Sequence, residues 1–472
     1  MTTLRFHGSA AVLLLPLALF VAVTARLFIS EAAFDLTGLA AAGVLTLFSG
    51  SLLAKAPSEY WKAAVRGASS ELTGTVVLIL IASGIFSAMM KASGVADGLV
   101  FLGGMLHLTG HAFTVFVLLA SSLMAAATGS SIGTLLAAMP IFFPAGVALG
   151  ADPTMLAGAV LSGAIFGDNL APVSDVTIIS SVTQRFRNGT PADIAGVVRT
   201  RLPYALIALA VSLPVYAFMG ESLPVSEAAL SGDASALLML VPVAVLIAIA
   251  VRTRDVLMAI SAGAVTGTAT GLLIGRLSFA TIFAADDGRL SGFLISGISN
   301  VSPIILLCVT LFAFTGIVRE AGVPDMMAKA LEAGSAGRPS ALRTELFLSA
   351  ATLVVTTLFA AVTSASVALV GSLTDDIGRA SNVHPYRRSH ILSGLANSLP
   401  VLMPFSAFVL ITMAAVSGLE GAAAVTPFTL MTAAFYPIAL FLVFGFMVLT
   451  GTGRMMETPE PEAAEAKTAT AL

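Results

Sequence analysis

The chain has 472 residues, of which 57% are hydrophobic and only 10% are charged. Soluble proteins carry roughly 25% charged residues, so this composition excludes a water-exposed globular body, a disordered chain and a fibrous repeat. The formal net charge of −3 offers no concentrated basic face for nucleic acid. The single cysteine, Cys308, excludes an internal disulfide and a cysteine metal cluster. The composition is that of an integral membrane protein.

Apolar stretches long enough to cross a membrane recur along the whole chain. A hydrocarbon core about 30 Å thick needs about 20 apolar residues per helix. The clearest stretches are 10–28, 36–53, 72–90, 112–127, 202–219, 236–251, 256–274, 303–318, 346–362 and 427–450. We expect two more crossings in each of the interrupted regions 132–183 and 364–416. The sequence therefore predicts an all-α polytopic bundle of about 12 to 14 transmembrane segments.

Basic residues in short loops indicate the orientation, because such loops stay in the cytoplasm. The loop 184–201 contains one acid and four bases, and we place it in the cytoplasm. Its bases are Arg185, Arg187, Arg199 and Arg201. Further internal bases are Lys55, Lys62, Arg66, Arg252, Arg254, Arg379, Arg387 and Arg388, and the acids of an external loop are Glu221, Glu227 and Asp233. With an even number of crossings, both termini lie in the cytoplasm, and the cell (inner) membrane is the expected location.

The two halves of the chain resemble each other. Residues 76–97, VVLILIASGIFSAMMKASGVAD, align without gaps on residues 304–325, IILLCVTLFAFTGIVREAGVPD, whose numbers are higher by 228. Three shorter matches follow in the same order: Thr128-Gly-Ser-Ser with Thr363-Ser-Ala-Ser, Ser162-Gly with Ser393-Gly, and Pro172-Val-Ser with Pro404-Phe-Ser. Four matches in one order indicate an internal duplication.

The duplication divides the chain into a first transmembrane repeat at 1–225, a second at 226–452, and an acidic cytoplasmic tail at 453–472 that we expect to be disordered. About seven crossings per repeat is an odd number, so the second copy is predicted to be inverted in the membrane. Inverted repeats around a central polar site are the architecture of many secondary transporters, whose two halves supply the inward- and outward-facing states of one cavity.

The most informative polar residues lie in the apolar region 161–181, LSGAIFGDNLAPVSDVTIISS. Gly167 and Pro172 frame a helix break there, because proline removes an amide donor and disfavours helix at the preceding residue. The polar residues beside the break are Asp168, Asn169, Ser174, Asp175 and Thr177. A carboxylate at mid-membrane costs about 2.5–3.5 kcal/mol on insertion scales, so an unpaired, lipid-facing position is unfavourable. Together with freed carbonyls these groups form an oxygen-rich site suited to a small hard cation, with Na⁺ at Asp168.

The corresponding break in the second half is 393–406, SGLANSLPVLMPFS, which contains no acid. It offers Asn397 and Ser398 as oxygen ligands, and Pro404 and Ser406 support the break. Further hydroxyl-bearing breaks contain Thr128, Ser130, Ser131 and Thr134 in the first half and Thr363, Ser364 and Ser366 in the second. Small polar residues also have an ordinary packing role at helix interfaces. We expect Asp168 to lie near mid-membrane and to face Asn397 and Ser398.

Asp168 can bind either a proton or a metal ion, because both neutralise the same carboxylate. Competition between the two for one group produces exchange. The alternative is structural: Asp168 and Asp175 then cap half-helices or face water at a loop. Asp375 and Asp376 lie near Arg379 and fit a solvated helix end.

The sequence TGSSIGT at 128–134, followed by SGAIFGDNLAPVSDVT at 162–177, resembles the NhaC family of sodium/proton antiporters within the wider ion transporter superfamily. Members carry a Thr/Ser-Gly-Ser turn and then Gly-Asp-x-x-Ser-Pro-x-Ser-Asp. The likeness in length, hydropathy and duplication covers most of the chain. The residues that match the pattern are Gly167, Asp168, Pro172, Ser174 and Asp175.

Two positions depart from the family pattern. Asn169 stands where lysine is frequent, and Ala171 stands where serine is usual. The missing lysine leaves one more uncompensated negative charge. Because the family also includes exchangers of organic acids, the resemblance implies sodium- or proton-coupled exchange more strongly than Na⁺/H⁺ exchange alone.

The leading hypothesis is a secondary antiporter that moves Na⁺ against H⁺ by alternating access, with Asp168 as the shared site and Asp175 as its partner. The second is an ion-coupled carrier of a small organic acid or amino acid. The apolar segments contain few basic residues that could bind that anion, although half-helix N-termini could bind it.

Other classes fit less well. An intramembrane aspartyl protease lacks its Gly-x-Gly-Asp signature, and both candidate aspartates lie in one segment. A passive channel is disfavoured by the inverted duplication. We therefore predict no enzyme activity and no cofactor, with Na⁺ and H⁺ as transported ions. Membrane lipid is expected around the helices, and assembly as a homodimer is allowed.

Overall fold

The computed structural model describes residues 4–8, 10–27, 36–172, 174–225, 234–253, 255–286, 289–323 and 340–457. These ranges are helical apart from turns, isolated bridges and one small antiparallel sheet of β1 (Ala284–Asp286) and β2 (Arg289–Ser291). The predicted all-α class is confirmed. Several predictions fall outside the described residues, namely those on Glu227, Asp233, Arg254 and the tail after residue 457.

The first half contains ten helices in the described ranges. They are α1 (Leu14–Ala25), α2 (Leu36–Leu53), α3 (Pro57–Ala68), α4 (Glu71–Ser93), α5 (Val95–Met105), α6 (His111–Thr128), α7 (Ser131–Ala148), α8 (Pro153–Leu170), α9 (Asp175–Val182) and α10 (Ile194–Phe218). The predicted break between Gly167 and Pro172 falls between α8 and α9.

The second half contains ten more helices in the described ranges. They are α11 (Leu240–Thr253), α12 (Val256–Leu273), α13 (Phe279–Ile282), α14 (Phe293–Glu320), α15 (Ala341–Leu358), α16 (Thr363–Ala380), α17 (Pro385–Ala396), α18 (Ala407–Val416), α19 (Pro427–Ala433) and α20 (Phe435–Thr450). Short 3₁₀ segments occur at Ala10–Leu13, Ala234–Met239, Leu399–Leu402 and Ala422–Ala424. The predicted second break follows α17.

Seven of the described spans are long and apolar enough to cross a membrane, and two bent pairs of helices raise the number to nine. The bends are 53° before α18 and 54° between α19 and α20. Four shorter apolar helices, at 37–53, 95–105, 235–250 and 257–273, do not reach that length within the described residues. The chain is thus a multi-pass membrane protein. The number of crossings, 12 to 14, stays a prediction because it includes such shorter segments.

Helix α8 is enclosed by protein on all sides, and every residue from Met155 to Leu170 is buried. Glycines permit this close packing. A Cβ atom added to Gly167 would lie 2.3 Å from the Cβ of Ala125 in α6, and one added to Gly158 would lie 2.3 Å from the carbonyl oxygen of Ala433. Small residues at helix contacts are the usual means of close packing in membranes. The C-terminal end of α8 is therefore held inside the protein.

We expect Gly167→Ala to destabilise the protein by about 1–3 kcal/mol, because the new methyl group meets both the side chain and the backbone of α6. The matched control is Gly74→Ala in α4, where nothing lies within 4 Å of the new Cβ atom. Alanine there is expected to be neutral or stabilising by about 0.5–1 kcal/mol. Thermal unfolding in detergent measures both variants, and equal melting temperatures would contradict the packing of α8 on α6.

The contacts between α14 and the α3–α4 region are reciprocal. An added Cβ on Gly84 would lie 2.4 Å from the carbonyl oxygen of Gly297, and one on Gly67 would lie 2.3 Å from that of Phe312. At the offset of 228 residues, Gly84 corresponds to Phe312, and Gly297 corresponds to Ser69, two residues from Gly67. Two elements related by a two-fold axis contact each other twice in this way. The inverted repeat stays a prediction, which this pattern supports.

Charged residues of α17 are buried. Arg387 donates from Nε to Oε1 of Glu345 at 2.9 Å, and Arg388 donates from Nη1 to Oδ1 of Asp375 at 2.8 Å. Both arginines and Glu345 are fully buried. The prediction that Asp375 lies at a solvated helix end is therefore wrong, since this carboxylate is buried and bridges Arg388 and Arg379. The side chain of Asp376 lies outside the described part.

His384 lies in the loop after α16 and is the N-cap residue of α17, because its Nδ1 accepts a hydrogen bond from the amide of Tyr386 at 3.2 Å. Burial lowers the pKa of His384 from its usual 6.5, with a smaller contribution from Arg388, while Glu457 opposes this shift. The folded protein therefore favours the neutral ring. The cap contributes fully above about pH 6.5 and is lost as the pH falls through the lowered value.

We expect the melting temperature to fall as the pH drops below about 6.5, and to fall less in His384→Asn, because asparagine caps a helix without titrating. Scanning calorimetry of both proteins across that range measures the difference. The same pH profile in the two proteins would show that His384 does not titrate as a cap.

Candidate functional site

The break between α8 and α9 follows from Pro172. Proline has no amide hydrogen to donate to the carbonyl of Asp168, four residues earlier. Helix α8 ends at Leu170, the amide of Ala171 closes its last turn on Gly167 at 2.8 Å, and α9 begins at Asp175. Asp168 is thereby placed in the last turn of a buried half-helix.

Hydroxyl groups surround the carboxylate of Asp168. Ser174, the N-cap residue of α9, donates to Oδ1 of Asp168 at 2.7 Å, and Ser131 at the start of α7 also hydrogen-bonds the carboxylate. The Asp168 side chain is 5% exposed. Among the described residues it has no ion-pair partner. The structure thus brings together an acid and two hydroxyls from two predicted breaks.

Asn169 connects the two halves of the chain. Its Oδ1 accepts from Ser393 Oγ of α17 at 3.2 Å, and its Nδ2 donates to Oη of Tyr436 in α20 at 3.2 Å. All three side chains are buried. The second half therefore meets the break through Ser393, one helical turn before Asn397.

Arg201 was placed in a cytoplasmic loop by the sequence analysis, and that assignment is wrong. It lies within α10 with 0% exposure. Its Nη2 donates to Oγ1 of Thr177 at 2.7 Å, and its Nη1 donates to Oγ of Ser393. Within the ranges that the structure describes, Arg201 has no ion pair, and its Nε has no partner. A base therefore lies in the same hydrogen-bonded cluster as Asn169, the residue that follows Asp168.

The remaining predicted ligands lie in different surroundings. Asp175 is exposed at the first position of α9 and acts on Asp168 only through its charge. Asn397 is fully buried, and neither atom of its side-chain amide has a partner in the described structure. Ser398 donates to the carbonyl of Leu395 at 2.7 Å. No hydrogen bond joins Asn397 or Ser398 to Asp168 in the described residues, so the predicted facing arrangement stays a proposal.

The supporting breaks have ordinary capping chemistry. Ser130 caps α7 by accepting from the amide of Gly133 at 3.1 Å, and Thr128 lies 3.4 Å from the hydroxyl of Thr134. In the second half, Thr363 and Ser364 begin α16. Pro404 precedes the break's last residue, Ser406, which caps α18 by accepting from the amide of Val409 at 3.1 Å.

A third break, between α19 and α20, was missed because the sequence analysis interpreted 427–450 as one crossing. Pro437 has no amide to donate to the carbonyl of Ala433. That carbonyl instead accepts from Oη of Tyr216 at 2.7 Å, and Tyr216 also hydrogen-bonds Ser162 at 2.8 Å. Pro437 within an apolar run was the available signal. The break packs against α8 and closes the site from the second half.

His107 and His111 have the spacing of two ligands on one helix face, but they do not share a helix. His107 lies in a turn with φ 52°, and His111 begins α6. His111 instead contacts the carbonyl of Gly220 at 3.2 Å and the hydroxyl of Ser222 at 3.1 Å. Among the described residues, no group of three or more His, Cys, Asp or Glu could hold a metal ion.

The fold and the site define a polytopic helical membrane protein with a buried acid at a helix break, the construction used by secondary transporters. Residues 3–221, nearly half of the chain, match the model described as the Na⁺/H⁺ antiporter family. The match confirms the resemblance drawn from the motifs at 128–134 and 162–177.

Curated relatives carry related names. The chain is 32% identical over 158 residues to a malate-2H⁺/Na⁺-lactate antiporter of Bacillus subtilis, which covers 34% of this chain and 32% of the relative. It is 39% identical over 104 residues to the Na⁺/H⁺ antiporter NhaC of Alkalihalophilus pseudofirmus, which covers 21% of this chain and 22% of the relative. The matched part thus spans about a third or less of these relatives. Both are transporters by name and neither is an enzyme, in agreement with the prediction of no enzyme activity.

A solved transporter also has a similar structure. The YdaH transporter of Alcanivorax borkumensis is 12% identical in sequence, with a TM-score of 0.40 over 83% of this chain and 88% of that protein.

Proposed function

We propose that this protein is a secondary active antiporter that exchanges Na⁺ for H⁺ by alternating access. The observation that carries the proposal is the buried carboxylate of Asp168, which contacts hydroxyl groups and has no ion-pair partner among the described residues. An ionised acid so far from water is stable only with a compensating cation or proton. The family match over residues 3–221 supports Na⁺ and H⁺ as the two ions.

The ligands of the ion are proposed to be oxygen atoms on both sides of the break. Asp168, Ser174 and Ser131 already converge, and oxygen donors are what a small hard cation prefers. The exposed carboxylate of Asp175 attracts cations towards the break from the solvent side. A proton on Asp168 removes the charge that holds Na⁺, so each ion displaces the other at one group.

Alternating access is proposed to move the two halves about this site. Asn169 of the first half hydrogen-bonds Ser393 of the second half directly. Thr177 is linked to the same serine through Arg201, which donates to both hydroxyls. These contacts are hydrogen bonds between polar side chains, which can break and re-form as the halves move. We further propose an inner-membrane location with both termini in the cytoplasm.

Exchange of a small organic acid or amino acid, coupled to Na⁺ or H⁺, is a second candidate function. The apolar segments of the sequence contain few basic residues that could bind an anion, but the guanidinium of Arg201 lies buried inside the protein. Guanidinium groups bind carboxylates through two parallel hydrogen bonds, in a bidentate arrangement. The name of the malate-2H⁺/Na⁺-lactate relative points the same way.

Reconstituted proteoliposomes with an entrapped pH-sensitive dye distinguish the two candidates. Na⁺, Li⁺, K⁺, lactate and malate are added in turn to vesicles that hold a pH gradient. Dissipation of the gradient by Na⁺ alone is the expected result. A response that needs lactate or malate as well as Na⁺ would favour the second candidate, and no response to any of these solutes would refute both.

A further inference from the structure

The guanidinium of Arg201 is a buried charge to which the proposed Na⁺/H⁺ exchange assigns no part in ion binding or release. It touches two hydroxyls, Thr177 on α9 and Ser393 on α17, and both are acceptors without charge. Burial of a guanidinium is costly unless an anion compensates it. Other buried arginines have such anions, as Arg387 has Glu345 and Arg388 has Asp375. Arg201 differs from them because, among the described residues, no carboxylate is bonded to it.

The compensating group is Asp168, which interacts with Arg201 through its charge without forming an ion pair. Ser393 places the two within one polar cluster, because it accepts from Arg201 and donates to Asn169, the residue next to Asp168. A pocket with one acid and one base is neutral when no ion is bound. When Na⁺ or H⁺ neutralises Asp168, the pocket carries the positive charge of Arg201 alone.

We propose that Arg201 is a tethered cation that competes with the transported ion for Asp168. In the structure Arg201 contacts the hydroxyls of Thr177 and Ser393, and this is the position that it is proposed to keep while an ion occupies Asp168. When the ion leaves, the guanidinium turns to the carboxylate. Arg201 therefore weakens ion binding and makes release possible from a site that would otherwise hold its ion. This inference rests on the function proposed above.

Asn169, the residue that follows Asp168, carries no charge of its own and cannot compensate the carboxylate. The base of this cluster comes from α10 instead. Arg201 donates a hydrogen bond to the hydroxyl of Ser393, and that hydroxyl donates one to the side-chain oxygen of Asn169. The negative charge that appeared uncompensated in the sequence thus has a cation within the same cluster.

Equilibrium Na⁺ binding to the purified full-length protein, measured by calorimetry at fixed pH, tests the proposal. Arg201→Gln removes the competing charge and is expected to tighten Na⁺ binding by about tenfold or more. Its matched control is Arg199→Gln, in the same helix but exposed, which is expected to leave the affinity unchanged. Ser393→Ala removes one resting position of the guanidinium and is expected to weaken Na⁺ binding, the opposite direction.

Transport gives a second readout. In proteoliposomes Arg201→Gln is expected to lower both KM for Na⁺ and kcat, because release becomes slower, and Arg201→Lys should restore part of kcat. A merely structural role would not produce opposite shifts of affinity in Arg201→Gln and Ser393→Ala. If Arg201→Gln does not fold, Thr177→Val replaces it, because it removes the other resting position of the guanidinium without removing a hydrogen bond to Asn169. Weaker Na⁺ binding in both Thr177→Val and Ser393→Ala is then the expected result, and unchanged binding in Thr177→Val would refute the proposal.

The outcomes separate this inference from the function on which it rests. If Asp168→Asn still binds Na⁺, the proposed function fails and the inference with it. If Asp168→Asn loses Na⁺ binding but Arg201→Gln binds Na⁺ as Arg199→Gln does, only the role of Arg201 is refuted. Lactate binding that is present in the wild type and lost in Arg201→Gln, with Na⁺ affinity unchanged, would show that Arg201 binds cargo and would likewise overturn the competition.

Discussion

Na⁺/H⁺ exchange by Asp168→Asn is expected to fall to the level of protein-free vesicles while the protein still folds. Asparagine has nearly the size of aspartate, and its carbonyl oxygen can still accept from Ser174. It carries no charge, so it can neither be neutralised by Na⁺ nor exchange a proton. Dye-loaded proteoliposomes under a Na⁺ gradient measure the rate, and size-exclusion chromatography in detergent checks the fold.

Asp97→Asn is the matched control for this variant. Asp97 is 58% exposed and forms an ion pair with Arg276 at 3.3 Å. Exposed pairs are worth about 0–1 kcal/mol, so this substitution should leave both fold and exchange near the wild-type values. Equal exchange rates in Asp168→Asn and Asp97→Asn would remove Asp168 from the ion pathway.

The helix breaks were predictable because their causes are local. Pro172 ends a helix wherever the chain places it, and the carboxylate of Asp168 next to it has few roles inside a membrane other than ion binding. The break at Pro437 has the same cause, yet no charged or amide side chain lies near it in the sequence. The helix-breaking effect of proline thus identifies a break, but only polar residues beside it indicate that the break forms part of a site.

The buried position of Arg201 was not predictable from the sequence, because its hydrogen-bond partners are distant in the chain. Thr177 and Ser393 lie 24 and 192 residues away, and Arg201 follows three other arginines in a stretch that fits a cytoplasmic loop. Charge counting assigns such a base to the membrane surface. Only the position of α10 between the two halves places it inside.

The surroundings of Asp375 were also not predictable, because the sequence indicates only its neighbour Arg379 as a partner. The structure adds Arg388 from α17 and buries the acid beneath the loop after α9, whose Arg185 amide donates to it at 2.8 Å. Neighbours in the chain can be counted from a sequence, but burial depends on what a distant segment covers. Predictions from the sequence were therefore better for backbone geometry than for charge environments.

Glu345→Gln is expected to destabilise the protein by about 3–5 kcal/mol, because it leaves a buried arginine without its anion. Glu345 accepts from Nε and Nη2 of Arg387 at 2.9 and 3.3 Å, and from Nε and Nη2 of Arg454 at 3.1 and 2.9 Å. Glutamine keeps the size but removes the charge that serves both bases. Thermal or denaturant unfolding in detergent measures the loss.

Two further variants show whether the loss of stability comes from leaving a buried arginine uncompensated. Glu320→Gln breaks the exposed pair with Arg66 and should cost about 0–1 kcal/mol. The double variant Glu345→Leu with Arg387→Met removes the buried pair together and should be much more stable than Glu345→Gln, because Arg454 is 25% exposed and can turn to water. A double variant as unstable as Glu345→Gln would mean that packing around Glu345, and not the uncompensated charge of Arg387, sets the cost.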